Sequence, residues 1–234
     1  MTPDTDPNAT LPEASDAHDD DAAVPSEDAA VEVEQSAKAA VRKRPKPGER
    51  RVQILQTLAS MLEQPGAERV TTAALAAKLD VSEAALYRHF ASKAQMFEGL
   101  IEFIEQSVFT LINQILERET DPAVQAQRFV TILLQFGEKN PGMTRVMVGD
   151  ALVFENDRLT ARMNQFFERI ESQLRQSLRQ RAEAAGSTTP TVDANAQASV
   201  LTAFAIGRLQ RFARSGFKKS PTEHLDVALR LFAA

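Results

Sequence analysis

Residues 71–93 read TTAALAAKLDVSEAALYRHFASK. Thr71 or Thr72 can cap a short helix that carries Leu75 and Leu79, and Asp80-Val81 makes a tight turn. Ser82 can cap a second short helix, from about Glu83 to His89, and Ser92 a longer one. Two short helices joined by a tight turn suit a helix-turn-helix, whose second helix enters the major groove where base edges are readable. On that second helix Glu83, Ala84, Tyr87 and Arg88 fall on the open face, while Ala85 and Leu86 pack back. Arg88 has the two-donor geometry for a guanine edge. Tyr87 and Lys93 suit phosphate oxygens, as does the amino end of the first short helix at Thr71 and Thr72. Taken alone, such a helix also reads as an ordinary solvated amphipathic helix.

Upstream, the periodicity turns helical at Glu49. Val52, Leu55, Leu58, Ala59 and Leu62 share a face until Pro65-Gly66. The preceding stretch is basic, and Arg42, Lys43, Arg44, Arg50 and Arg51 could follow a DNA backbone or enter a minor groove. Residues 1–34 hold 11 Asp and Glu and no Lys or Arg. All 27 basic residues of the 234-residue chain therefore face only the other 21 acidic ones. The overall charge of −5 hides a body of formal charge +6. Residues 1–47 are expected to be a disordered acidic tail with a basic linker, because they hold too few large apolar side chains to offset ordering. The opening MTPDTDPNAT lacks a basic region followed by an apolar one, so a secretory signal is not expected.

Downstream the pattern stays helical. A fourth helix of about seven turns carries Phe97 and, within roughly 40° of it, Ile101, Ile104, Val108, Leu111 and Ile115. Phe103 lies about 120° away, off that stripe. Asp121-Pro122 opens a fifth helix, apolar enough from Phe129 to Phe136 to be buried on every side, and Asn140-Pro141-Gly142 breaks it. A sixth runs to about Phe154. A seventh, over 157–182, carries Leu159, Met163, Phe166, Phe167, Ile170, Leu174 and Leu178. An eighth, about Asp193 to Arg214, is built on Ala196, Val200, Ala203, Phe204, Gly207 and Leu209. A ninth begins at Pro221-Thr222 and ends in Leu231-Phe232. The last two helices can pack within one subunit, or their small residues can let two subunits approach closely.

The expected fold is all-α, with a helix-turn-helix domain over 48–93 and a helical dimerisation and partner-binding domain over 94–234. There is no Cys, and His18, His89 and His224 are far apart, so no metal site is expected. No Gly-rich phosphate loop or nucleophile elbow is present, and carboxylates such as Glu102 and Glu105 sit on a charge-rich helix and read as a solvated face. Neither an enzyme nor a cofactor is expected.

Leu75-Ala76, Val81-Ser82 and the run Leu86-Tyr87-Arg88-His89-Phe90-Ala91-Ser92-Lys93 resemble the DNA-binding domain of the TetR family, whose hallmark runs L-Y-x-H-F-x-x-K. Asp80 stands where that family usually has Gly. The likeness continues through SEAALYRHF, FEGLIEFIE, FGEKNPGMTRV, GDALVFENDRL and FFERIESQLRQSLR, which resemble the nucleoid-occlusion members of the family over about residues 49–234. That resemblance implies a two-helix-per-subunit dimer bundle and binding to palindromic double-stranded DNA sites on the chromosome. It implies a second partner, the C-terminal tail of the tubulin-like division GTPase FtsZ, and a block on division-ring assembly over the nucleoid. It also implies a tail-binding groove beside the fourth helix, with Phe103 against an apolar side chain, Lys139 against an acidic one and Asn140 on the tail backbone. A cytoplasmic, nucleoid-associated protein follows. The other reading, a ligand-responsive repressor, would need an apolar pocket lined by Phe129, Leu133, Phe136, Phe154 and Phe166.

Overall fold

The computed structural model describes residues 48–64 and 69–233. The acidic tail, the linker residues Arg42, Lys43 and Arg44, and the Pro65-Gly66 break lie outside them. Among the described residues all regular structure is helical: α1 (Glu49–Leu62), α2 (Thr72–Leu79), α3 (Glu83–Tyr87), α4 (Lys93–Arg118), α5 (Pro122–Lys139), α6 (Pro141–Met147), a 3-10 turn (Asp150–Leu152), α7 (Asp157–Ala184), α8 (Pro190–Arg214) and α9 (Leu225–Ala233).

Side-chain caps set several starts. Ser92 Oγ accepts the Gln95 N–H at 3.2 Å, Asp121 Oδ1 that of Ala123 at 2.8 Å and Asn156 Oδ1 that of Arg158 at 3.1 Å. Pro122 and Pro141 occupy first-turn positions, where no N–H is needed. α9 starts later than the Pro221-Thr222 signal suggested. The Ser220 and Thr222 hydroxyls donate instead to the Glu138 carboxylate, the latter at 2.8 Å, and the chain turns through His224 at φ 55° before becoming helical.

α1, α2, α3 and the start of α4 enclose Ile54, Leu58, Leu62, Leu75, Leu86 and Phe90. In α1 the buried face runs through Ile54, not Val52, which is 53% exposed. α4 then runs unbroken for 26 residues into a bundle with α5, α7 and α8. All seven apolar residues expected on α7 are buried. On α4 the far end turns inward through Ile112 and not Leu111. α5 is not buried on every side either: Gln135 is exposed and Thr131 and Ile132 are half-buried. On α8 the expected face is mostly the outer one. Ala194, Ala198, Leu201, Ala205 and Leu209 form the core contact, whereas Ala196, Val200, Ala203 and Gly207 are exposed.

The lower helices and the bundle meet at a close approach. A Cβ on Gly142 at the start of α6 would lie 2.0 Å from the Ala59 carbonyl oxygen of α1. Only glycine lets these two backbones touch.

Candidate nucleic-acid and partner interface

The helix-turn-helix is held by its own backbone. Thr71 Oγ1 accepts the Ala74 N–H at 3.1 Å and starts α2; Ser82 Oγ accepts the Ala85 N–H at 3.3 Å and starts α3. Between them Asp80 adopts the left-handed conformation that glycine usually supplies, φ 54°, ψ 52°. Its N–H reaches Ala77 O at 3.1 Å and that of Val81 reaches Ala76 O at 3.0 Å, the paired closure of a helix end. Leu75, Leu86 and Phe90, each at most 1% exposed, fasten the motif to α1 and α4.

The outward face is as expected for α3. Glu83, Ala84, Tyr87, Arg88 and His89 are exposed, although the helix closes at Tyr87 and Arg88 forms its cap. Arg88 and Tyr87 make no side-chain bond to another described residue. Thr71 and Ser82 accept their capping bonds, so each hydroxyl keeps its own hydrogen to donate. Thr72 and Glu83 are brought together: the Thr72 hydroxyl donates to Glu83 Oε2 at 2.6 Å.

Two basic residues are placed otherwise than for a free phosphate contact. Lys93 is ion-paired with Glu155, from the segment before α7, with only 26% of its side chain exposed. Arg51 donates to the His89 carbonyl oxygen at 2.9 Å and stacks over the Phe90 ring at 4.1 Å. Both fasten the motif to its surroundings. Nor is Glu105 part of a solvated face. Arg162 of α7 grips its two carboxylate oxygens at 3.2 and 2.6 Å. That hydrogen bond holds the Arg162 guanidinium above its usual range, with burial opposing. Arg158 adds a pair with Glu98 at 2.7 Å. None of these α7–α4 pairs was foreseen, because partners so distant in sequence leave no spacing signal.

Phe103 faces outward from α4 at 46% exposure. A surface groove between α4 and α5 is lined by Leu111, Ile115 and Arg118 on one side and Arg128 and Ile132 on the other. The short Glu119–Asp121 connection makes the two helices antiparallel. Phe103 and Asn140 lie about 18 Å of helix rise beyond Ile115 and Arg128, toward the same end of the helix pair but outside the groove's lining. Lys139 is exposed there. Asn140 is half-buried, its side-chain amide donating to Phe136 O at 2.8 Å. The ligand-pocket residues are less coherent. Phe129, Leu133 and Phe166 are packed to 1% exposure or less, and Phe154 stands in the open at 67%.

Residues 54–100 match the model of bacterial regulatory proteins of the tetR family. Residues 120–234 match a tetracyclin repressor-like C-terminal domain. The nucleoid occlusion factor SlmA of Salmonella typhi is 55% identical over 188 residues, 79% of this chain and 93% of that protein. The chain belongs to the SlmA group of the tetR family. SlmA of Photobacterium profundum is 54% identical over 186 residues, 79% of this chain and 94% of that one. The group's members are DNA-binding regulators and not enzymes. Among solved structures, the fatty acid degradation regulator FadR from Bacillus halodurans superposes with TM-score 0.64 at 15% identity, covering 80% of this chain and 96% of that one. FadR from Bacillus subtilis in complex with stearoyl-CoA gives 0.63 at 12% identity, covering 78% and 97%. At such identities these two show the fold alone. No helix among the described residues is long and apolar enough to cross a membrane.

Proposed function

We propose that this protein is a nucleoid-occlusion regulator. As a homodimer it binds palindromic double-stranded DNA through α2 and α3. Bound there, it takes the C-terminal tail of FtsZ in the groove between α4 and α5 and blocks division-ring assembly over the nucleoid. The single observation that carries the partner half is Phe103, a large aromatic exposed on a helix whose other face is core, toward the same end of the helix pair as Lys139 and Asn140. The SlmA relatives are nucleoid occlusion factors by name, which supports the regulatory half of this reading.

In the DNA half, Arg88 reads a base edge and Tyr87 with the Thr71 and Ser82 hydroxyls holds phosphates, while Thr72 offers the α2 amino end through its backbone, its hydroxyl being bonded to Glu83. Glu83 positions Thr72, and Ala84 leaves room for close approach of α3. His89 lends its backbone to Arg51, and Lys93 acts by fixing the start of α4. The dimer half rests on the outer face of α8, where Val192, Ala196, Val200, Ala203 and Gly207 form an exposed small and apolar stripe, extended by Val227 and Leu231 of α9. Such a stripe lets two helix pairs close into a four-helix contact, and a two-fold dimer matches a palindrome. The protein then resides in the cytoplasm on the nucleoid. The test is capture of FtsZ, intact and lacking its C-terminal tail, by operator-bound protein. Capture of the intact form alone is expected; equal capture of both, or of neither, removes the partner.

A further inference from the structure

The end of α8 and the turn after it read RLQRFARSGFKK over residues 208–219: five basic residues and no acidic one. Arg208, Arg211 and Arg214 recur every three residues, so they sit near one another on the helix surface. Between Arg208 and His224 the sole acidic residue is Glu223, which pairs with Arg211 at 3.0 Å. Arg208 is drawn to the Glu223 carbonyl oxygen at 2.8 Å, and burial, then the neighbouring Arg211 charge, pushes its guanidinium below its usual range. Arg214, Lys218 and Lys219 are exposed, and their side chains have no partner among the described residues.

This basic turn is rigidly built. Ser215 Oγ accepts the N–H groups of Lys218 and Lys219 at 3.1 and 2.9 Å. Phe217, at φ 64°, packs edge-on to Phe212 at 5.1 Å and under Arg145 of α6 at 5.3 Å. Ser220 and Thr222 hold Glu138 at the end of α5. α6 in turn seats Gly142 on the Ala59 carbonyl of α1. The segment therefore lies at the end of the bundle that carries the helix-turn-helix. It also continues the exposed α8 stripe: Gly207 lines one cleft with Arg211, Arg214 and Lys219.

From this placement we infer that Arg214, Lys218 and Lys219 form a second DNA-facing surface that contacts backbone phosphates between the two helix-turn-helix motifs of a dimer. This rests on the proposed dimer and its DNA binding. Dimerisation along α8 brings two such clusters toward the two-fold axis, where like charges repel unless an anion lies between them. A duplex spanning the two recognition helices supplies that anion along its length. The contact carries no sequence information, since phosphates are the same at every step.

The test is the triple variant Arg214→Ala, Lys218→Ala, Lys219→Ala beside Arg88→Ala and the unaltered chain. Binding to cognate and random duplexes is measured across a salt series, with dimer mass and thermal melting on the same preparations. The expected result is an equal loss on both duplexes, roughly tenfold at moderate salt, and a salt slope smaller by about 2 or more per dimer. Melting and dimer mass stay unchanged. An unchanged slope and affinity overturn the surface while leaving the helix-turn-helix reading intact. Loss of the dimer overturns it too, as does a loss confined to FtsZ-tail binding, which would make the partner an acidic peptide. Failure of the unaltered chain to bind any duplex overturns the proposed function and this inference together.

Discussion

The hydroxyl of Thr72 donates to Glu83 Oε2 at 2.6 Å, so the first residue of α2 is tied to the first residue of α3. The bond bridges the two amino ends across the turn. Thr72→Val keeps the shape and removes the donor. It is expected to cost about 1 kcal/mol of stability, read as a fall in melting temperature of about 2–4 °C. Glu83→Gln keeps an acceptor and is expected to lose less. Equal losses for both would show that the bond is idle.

Arg88→Ala and Tyr87→Phe are expected to weaken DNA binding in different ways. Arg88 carries the exposed guanidinium at the end of α3, and its loss should cost about 1–3 kcal/mol and relax the preference at one base position. Tyr87→Phe removes only the hydroxyl and should weaken all duplexes alike. Competition binding with single-base operator variants separates the two. A uniform effect of Arg88→Ala would remove its base-reading role.

For the groove, Phe103→Ala is expected to weaken FtsZ-tail peptide binding by about 0.7–1.5 kcal/mol, half of full aromatic burial, because the ring is already half covered. Lys139→Ala should add a salt-dependent loss. Asn140→Ala should weaken the peptide as well, with some loss of melting temperature, because its amide caps the Phe136 carbonyl. DNA binding and dimer mass should hold in all three. Peptide affinity unchanged in Phe103→Ala would move the site elsewhere.

Gly142→Ala and Gly137→Ala are expected to differ in severity. A Cβ at Gly142 meets the Ala59 backbone at 2.0 Å, and backbone cannot swing aside. A loss of about 3 kcal/mol is expected. At Gly137 the close atoms are both side-chain ones, the tip of Leu209 at 2.3 Å and Thr144 Oγ1 at 2.9 Å, which can shift within the core where backbone cannot. That loss should be nearer about 1 kcal/mol. Denaturant midpoints of the two variants give the comparison.

Val200→Asp, on the exposed stripe of α8, is expected to leave the melting of the monomer nearly unchanged and to shift the mass toward the monomer. Sedimentation at several concentrations reads it. A dimer of undiminished affinity would place the interface off this face.

The helix-turn-helix was legible because its signals are local. Caps at Thr71 and Ser82, the turn at Asp80 and the inward Leu86 and Phe90 all follow from neighbours a few residues apart. α7 was legible because it has one apolar stripe against a strongly polar remainder. α8 was misread for the opposite reason. Its two faces are both small and apolar, Ala194-Ala198-Leu201 inward and Ala196-Val200-Ala203 outward, and periodicity cannot rank them. Leu111 and Ile112 pose the same choice on α4, where a groove gives the outer face its own apolar residues. The site residues were readable as types, but not their internal commitments. Nothing at Lys93 announces Glu155, and nothing at Arg51 announces the His89 carbonyl.

α4 starts one residue after its Ser92 cap, and Met96, Phe97 and Leu100 in its opening turns belong to the same core as Leu58 and Leu86. Farther along, the same unbroken rod builds the bundle. A fragment cut at the end of the recognisable motif would therefore lack a wall of its own core. The reading head of this protein is not a transplantable module. A chimera that joined it to another regulator's body would have to carry over at least the first turns of α4, together with α6, whose Gly142 the head sits against.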